Sequence, residues 1–147
     1  MKPIATLSLS LLITAFATPA AVIAAEPAKP LALRGIMQDL GRHMQTITLA
    51  IAHEDWAGVE KTAPLIAAHP QSPLSEKTRI LSFIGTNLGK FKAHDHKTHE
   101  AAHHLMHAAQ HQDGPAVISA FQSLQSGCLG CHQEFRKPFI QHFYGAK

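Results

Sequence analysis

The stretch "DGPAVISAFQSLQSGCLGCHQEFR", residues 113–136, decides how the rest of the chain is interpreted. It opens with a turn signal at Asp113 to Pro115, and proline suits the first turn of a helix. Apolar residues then recur at helical spacing, so we expect one inward face made by Val117, Ile118, Phe121 and Leu124. The same helix leads directly into the chain's two cysteines, which are the residues that point to chemistry.

Cys128, Cys131 and His132 form the motif C-x-x-C-H. Two thiols at this spacing on a helix can add across the two vinyl groups of one haem, and the adjacent imidazole then lies under the iron as its proximal ligand. A disulfide or half of a zinc site competes with this interpretation. A redox disulfide needs a βαβ setting that the sequence lacks, however, and zinc needs further ligands. The motif therefore predicts one covalently attached haem c.

The first 25 residues have the features of a secretory signal peptide. Lys2 precedes an apolar stretch from Ile4 to Phe16, and small residues lead up to Glu26. We expect cleavage after Ala25, which leaves residues 26–147 as a single domain in the periplasm. No later segment approaches the roughly 20 apolar residues of a membrane-spanning helix, so we expect no membrane span.

The charge balance argues against a nucleic-acid partner. The chain has 13 lysines and arginines against 10 acidic residues, and like charges form no block along it. No nucleophile stands beside a candidate base, so the sequence does not predict an enzyme.

Hydrophobic periodicity predicts four helices and no strands. We expect them over residues 31–54, 56–68 and 75–112, the third being broken near Gly85 to Gly89, and then from Pro115 onward. Asp55 is the expected N-cap of the second helix. In the first helix one apolar stripe runs the whole length, formed by Leu33, Ile36, Met37, Leu40, Met44, Ile47 and Ile51. Short connections between such helices predict an all-α fold, an antiparallel four-helix bundle with haem near its C-terminal helix.

The chain resembles the class II cytochromes c, the cytochrome c′ superfamily. The resemblance rests on "MQDLGRHM" at residues 37–44, "EDWAGVEKTAPLI" at 54–66 and the C-terminal haem motif. It implies that Arg136, four residues after His132, lies close to the haem propionates. It also implies periplasmic redox proteins as partners and, in many members, an antiparallel homodimer.

The family divides by what occupies the other face of the iron. In the branch that this chain resembles, the first methionine of M-x-x-x-G-x-x-M is the sixth ligand, and here that residue is Met37. The branch usually has an arginine four residues earlier, where this chain has Leu33. Met44 is the alternative donor, and His43 is a third. The resemblance thus implies a one-electron carrier, and the alternative is a five-coordinate iron that binds nitric oxide or another small gas.

A second concentration of histidine lies at residues 93–111, with seven of the chain's 12 histidines. On a helical wheel only His94 faces the core. The other six form an outward band: His96, His99, His103, His104, His107 and His111. Within it, His99, His103, His107 and His111 are spaced i,i+4, which predicts an accessory site for copper, nickel or zinc. The competing interpretation is a solvated helix face.

Overall fold

A computed structural model describes residues 29–145, so the predicted signal peptide lies outside the described residues. Six α-helices follow one another: α1 (Ala32–Ala52), α2 (Trp56–Ala67), α3 (Leu74–Ile84), α4 (Leu88–Gln110), α5 (Gly114–Cys131) and α6 (Lys137–Tyr144). A 3-10 turn (Gly85–Asn87) joins α3 to α4, and a π-helical turn (His132–Arg136) joins α5 to α6. The all-α prediction is confirmed. No helix among these residues is both long and apolar enough to cross a membrane.

Four of the helices form the bundle. Helix α4 packs against both α2 and α5, and α1 packs against α2. Each contributes to one apolar core, whose largest fully buried side chains are Ile47, Val59, Ile66, Leu105, Val117 and Leu124. We call this the first cluster. Its burial of aliphatic side chains from four helices is the main apolar contribution to the fold.

The connections from α1 to α2 and from α4 to α5 have the same backbone conformation. Glu54 and Gln112 have positive φ angles, 53° and 54°, and each stands directly before an aspartate. The amide of Asp55 donates back to the carbonyl of Ala50 at 2.8 Å, a bond that satisfies the end of α1 in the manner of a Schellman motif. The Asp55 carboxylate then accepts from the amide of Gly58 at 2.9 Å, so it caps α2 as predicted.

A second apolar cluster closes the opposite end of the molecule. Leu31, Ile80 and Ile84 are its buried members, and half-buried aromatic residues of α3, α4 and the C-terminal segment surround them. Helix α6 supplies Phe139, Phe143 and Tyr144 to this second cluster. The hydroxyl of Tyr144 accepts a hydrogen bond from the Leu31 amide at 3.1 Å, which ties the two ends of the described chain together.

Two sequence-based predictions of burial are wrong. Ile118 was expected to face inward, yet 55% of it is exposed. Adjacent residues of a helix differ by about 100° in direction, and the core is reached here by Val117. The stripe on α1 is also interrupted, because Met37 is 43% exposed while Ile36 and Ile47 are buried.

Candidate functional site

Four of the predicted site residues, Met37, Cys128, Cys131 and His132, lie along the chain between residues of the two apolar clusters. On α1, Leu33 packs in the second cluster and Leu40 in the first, with Met37 between them. Along the C-terminal segment, Leu124 belongs to the first cluster and Phe135 to the second. We call the intervening residues Met37, His94, Cys128, Cys131 and His132 the middle layer. At this layer the aliphatic core is interrupted by residues that can bind a cofactor.

Both thiols are at the end of α5, three residues apart on one face of the helix. They are free and half-buried. Burial raises the pKa of Cys128, and burial together with the negative charges of Asp95, Cys128 and Glu134 raises the pKa of Cys131 to about 11. A redox dithiol depends on a lowered thiol pKa, so this electrostatic setting argues against a catalytic disulfide.

His132 follows Cys131 at the first position of the π-helical turn. Burial first, and then the positive charge of Arg136, lowers the pKa of His132. Both effects favour the neutral imidazole, which is the form that binds a metal. Sequence reasoning did not anticipate the wide turn. The turn ends two residues before Pro138. The nitrogen of Pro138 cannot donate to the carbonyl four residues earlier, so this proline is the sequence feature that could have indicated the turn.

An ion-pair group beside the haem motif joins it to α4. Glu134 accepts from Lys90 Nζ at 2.9 Å, and its other oxygen lies 3.3 Å from Nε2 of His94. The hydrogen bond from Lys90 is the largest cause of a lowered pKa at Glu134, with His94 acting in the same direction. His94 is half-buried, as the helical wheel predicted. It faces the motif from the neighbouring helix.

Two glycines of the motif region let α4 approach α5 closely. A methyl group on Gly127 would lie 2.9 Å from Oγ1 of Thr98, and one on Gly130 would lie 3.0 Å from Cε1 of His94. An alanine at position 127 would therefore displace the Thr98 side chain, and one at position 130 would require a small shift of His94. The sequence analysis assigned neither residue a role.

The candidate distal ligands differ in their surroundings. Met44 packs against the first cluster, as a methionine used for core packing does. His43 lines an open groove between α1 and α2 together with Asp55 and Lys61. Met37 packs in neither of the two clusters found among the described residues. Of the three side chains, Met37 is the one that is not already committed to packing or to another groove.

Arg136, the predicted propionate partner, ends the π-helical turn with its side chain exposed. Within residues 29–145 it forms no ion pair with an acidic side chain. Its guanidinium is thus available to an anionic group, although its burial pattern is also that of a solvated surface arginine.

The histidine band of α4 faces outward as expected, since five of its six members are exposed and only His99 is half-buried. The inner face of α4 is formed by Ala101, Ala102, Leu105 and Ala109, all buried. Of the predicted accessory set, the structure brings only His99 into a group of three metal-binding side chains. Over the described residues, that group does not include His103, His107 or His111.

The middle layer fits the attachment of a haem. It offers two thiols on one helical face, an adjacent imidazole whose lowered pKa favours the neutral form, and a thioether on the part of α1 that lies between its contributions to the two apolar clusters. A family model described as Cytochrome C' matches residues 32–136, a range that contains all of these side chains. No curated protein sequence matches the chain.

Proposed function

Because the chain belongs to the cytochrome c′ family, we propose that it is a mono-haem c-type cytochrome that carries single electrons between periplasmic redox proteins. The observation that carries this proposal is the middle layer between the two apolar clusters. There Met37 is the thioether that packs in neither cluster, and the C-x-x-C-H residues belong to the same layer. A bound haem supplies a one-electron iron couple, and a thioether ligand favours its reduced state.

Four residues of the middle layer then have a defined task. Cys128 and Cys131, on one face of α5, would hold the haem edge through thioether bonds. His132 is the proximal ligand, and its lowered pKa keeps Nε2 or Nδ1 available to iron rather than to a proton. Met37 is the sixth ligand.

Arg136 binds a haem propionate in this proposal. Its guanidinium is a permanent cation with a planar set of donors that matches a carboxylate. The exposure of Arg136, and the lack of an acidic partner within the described range, leave those donors free for this role. The electron-carrier function needs no catalytic residue, so we propose no enzymatic activity.

Absorption spectra of the oxidised and reduced protein test the ligation. We expect a low-spin ferric form with a methionine-to-iron charge-transfer band. Met37→Ala should abolish that band and lower the reduction potential, whereas the matched control Met44→Ala should retain the band with some loss of stability. Retention of the band in Met37→Ala and its loss in Met44→Ala would assign the sixth ligand to Met44.

A high-spin ferric spectrum in the unsubstituted protein would contradict six-coordination. If that spectrum also changed on addition of nitric oxide, the protein would be a five-coordinate gas-binding member of the family. The exposure of Met37, of which 43% is accessible, favours six-coordination, since the core does not enclose this residue.

Export of the protein is a further part of the proposal. A signal peptide at residues 1–25 would be removed, and residues 26–147 would remain as the haem-binding domain. The mass of protein isolated from the periplasm tests this, because cleavage after Ala25 leaves Glu26 at the N-terminus. An uncleaved chain would overturn it. Sedimentation of the same material tests the expected homodimer.

A further inference from the structure

Three side chains that the haem proposal does not use converge where the link between α2 and α3 meets α4. His69 lies in that link, and Asp95 and His99 are four residues apart on α4. The two Nε2 atoms are 3.4 Å apart. Oδ1 of Asp95 lies 3.6 Å from Nε2 of His99 and 3.9 Å from Nε2 of His69. These three atoms form the one such donor group among the described residues.

The separations of the three donor atoms match the bond lengths of a bound metal ion. A circle through three points separated by 3.4, 3.6 and 3.9 Å has a radius of about 2.1 Å, and zinc binds imidazole nitrogen and carboxylate oxygen at about 2.0–2.2 Å. A single ion at its centre would therefore contact all three atoms without movement of the backbone. The two rings lie at 83° to each other, so they meet edge-on and do not stack.

A second observation concerns the other nitrogen of His69. Its Nδ1 atom lies 2.9 Å from the carbonyl oxygen of Pro70. Because a carbonyl only accepts, Nδ1 carries the proton and donates it, so in the neutral ring Nε2 presents a lone pair to Asp95 and His99. Donation from the second ring nitrogen to a backbone carbonyl is how metal-binding histidines are commonly oriented.

Charge and exposure also suit a cation. Two neutral imidazoles and one carboxylate carry a net negative charge, and nitrogen donors favour transition ions over calcium or magnesium. The side chains of His69, His99 and Asp95 are 21, 35 and 53% exposed, so an ion can enter from solvent and keep a water molecule as a fourth ligand.

We propose that His69, Asp95 and His99 form a zinc-class divalent metal site with three protein ligands and one open position. This site differs from the four-histidine set on α4 that the sequence predicted. It bridges the α2–α3 link and α4, so bound metal cross-links two parts of the chain that are separated by 30 residues in the case of His69 and His99.

Zinc titration of the haem-loaded, chelator-treated protein tests the proposal. We expect one tightest zinc ion per chain by calorimetry, with two imidazole nitrogens and one carboxylate oxygen in the zinc-edge X-ray absorption spectrum. His69→Ala and Asp95→Asn should each weaken this binding at least roughly tenfold, the scale on which loss of a group at a metal site is felt. The matched control, the double variant His103→Ala with His107→Ala, should retain it.

The absence of tight zinc binding in the unsubstituted protein would overturn the proposal. The proposal would also be overturned if His69→Ala and Asp95→Asn bound zinc as tightly as the unsubstituted protein. If the His103→Ala, His107→Ala variant then lost binding, the ion would lie on the exposed histidine band. Helical circular dichroism and the haem spectrum of every variant report whether the fold is kept. Because these spectra do not depend on zinc, failure of the metal site is distinguishable from failure of the haem proposal.

Discussion

At the scale of single residues, the haem motif packs closely against α4 at two glycines. Gly127 and Gly130 lie beside the two cysteines, and Thr98 and His94 of α4 occupy the space that a Cβ atom would need. Close approach of the helix backbones places His94 at Glu134, so the ion-pair group and the glycines depend on the same packing.

We predict that Gly127→Ala destabilises the protein by about 1–3 kcal/mol, the usual cost of overpacking. The added methyl would lie 2.9 Å from Oγ1 of Thr98, whereas the nearest backbone atoms of Thr98 are at 3.5 Å, an ordinary contact. Adding Thr98→Ala should therefore recover part of the loss. Urea unfolding of the haem-loaded protein measures both values.

Gly89→Ala is the matched control for this substitution. Gly89 is also in a helix, but nothing lies within 4 Å of a methyl group there, so its free energy of unfolding should stay unchanged or rise slightly. Equal destabilisation by Gly127→Ala and Gly89→Ala would show that interhelical contact is not the cause.

Glu134 provides a prediction about proton binding. Its pKa is lowered mainly by the hydrogen bond from Lys90, so Lys90→Met should raise that pKa toward 4.5, the ordinary value. A lowered carboxyl pKa in the folded state stabilises the protein above the unfolded pKa, and this contribution is lost as pH falls through the folded value. Carboxyl NMR titration measures the shift. Lys92→Met, on the same helix with no acidic partner among the described residues, should leave it unmoved.

At the scale of elements, the two helix hairpins share one connection. The segments "AIAHED" at residues 50–55 and "AAQHQD" at 108–113 both have alanine first, histidine fourth and aspartate sixth. Asp113 donates from its amide to Ala108 at 3.1 Å and accepts from Ala116 at 3.0 Å, as Asp55 does in the first hairpin. Val59 and Val117 follow at equivalent positions, and both are fully buried. The repeated segment thus both ends one helix and starts the next.

Removal of one cap should have a measurable effect. We expect Asp113→Ala to lower the free energy of unfolding by about 1 kcal/mol, because the Ala116 amide loses its acceptor. Asp113→Asn keeps an acceptor oxygen and should cost much less. If asparagine were as destabilising as alanine, the stabilisation would come from the negative charge at the start of α5 rather than from the hydrogen bond.

At the scale of the whole molecule, the apolar core is divided. The first cluster joins four helices, and the second joins α3 and α6 to the start of the described chain. Between them stands the middle layer, which contains thiols, imidazoles and a thioether in place of aliphatic side chains. Each of the two clusters is therefore a smaller apolar core than a single domain of this length ordinarily buries.

We predict that the haem-free protein is partly unfolded. The double variant Cys128→Ser with Cys131→Ser removes covalent attachment, and its middle layer and α6 should exchange amide hydrogens faster than the residues of the first cluster. Loss of near-ultraviolet circular dichroism with retained helix signal would agree with this. A haem-free chain that melts cooperatively with uniform amide protection would contradict it.

Much of this architecture follows from local patterns. Periodicity alone located the bundle helices, Asp55 and Pro115 marked two helix starts, and the wheel of α4 separated its buried alanines from its exposed histidines. Local patterns failed at Ile118 and Met37, because periodicity identifies an apolar face but not which of its members reach a neighbouring helix.

The sequence by itself determined the fold class and the haem motif, because helical spacing and C-x-x-C-H are relations between residues close in the chain. Only the tertiary structure decided which methionine is left free of the core and that α6 closes one end of the molecule. It also decided that His99 meets His69, 30 residues away, rather than its neighbours in the band. Such contacts depend on how helices pack, and packing is set by the summed burial of many side chains rather than by any short segment.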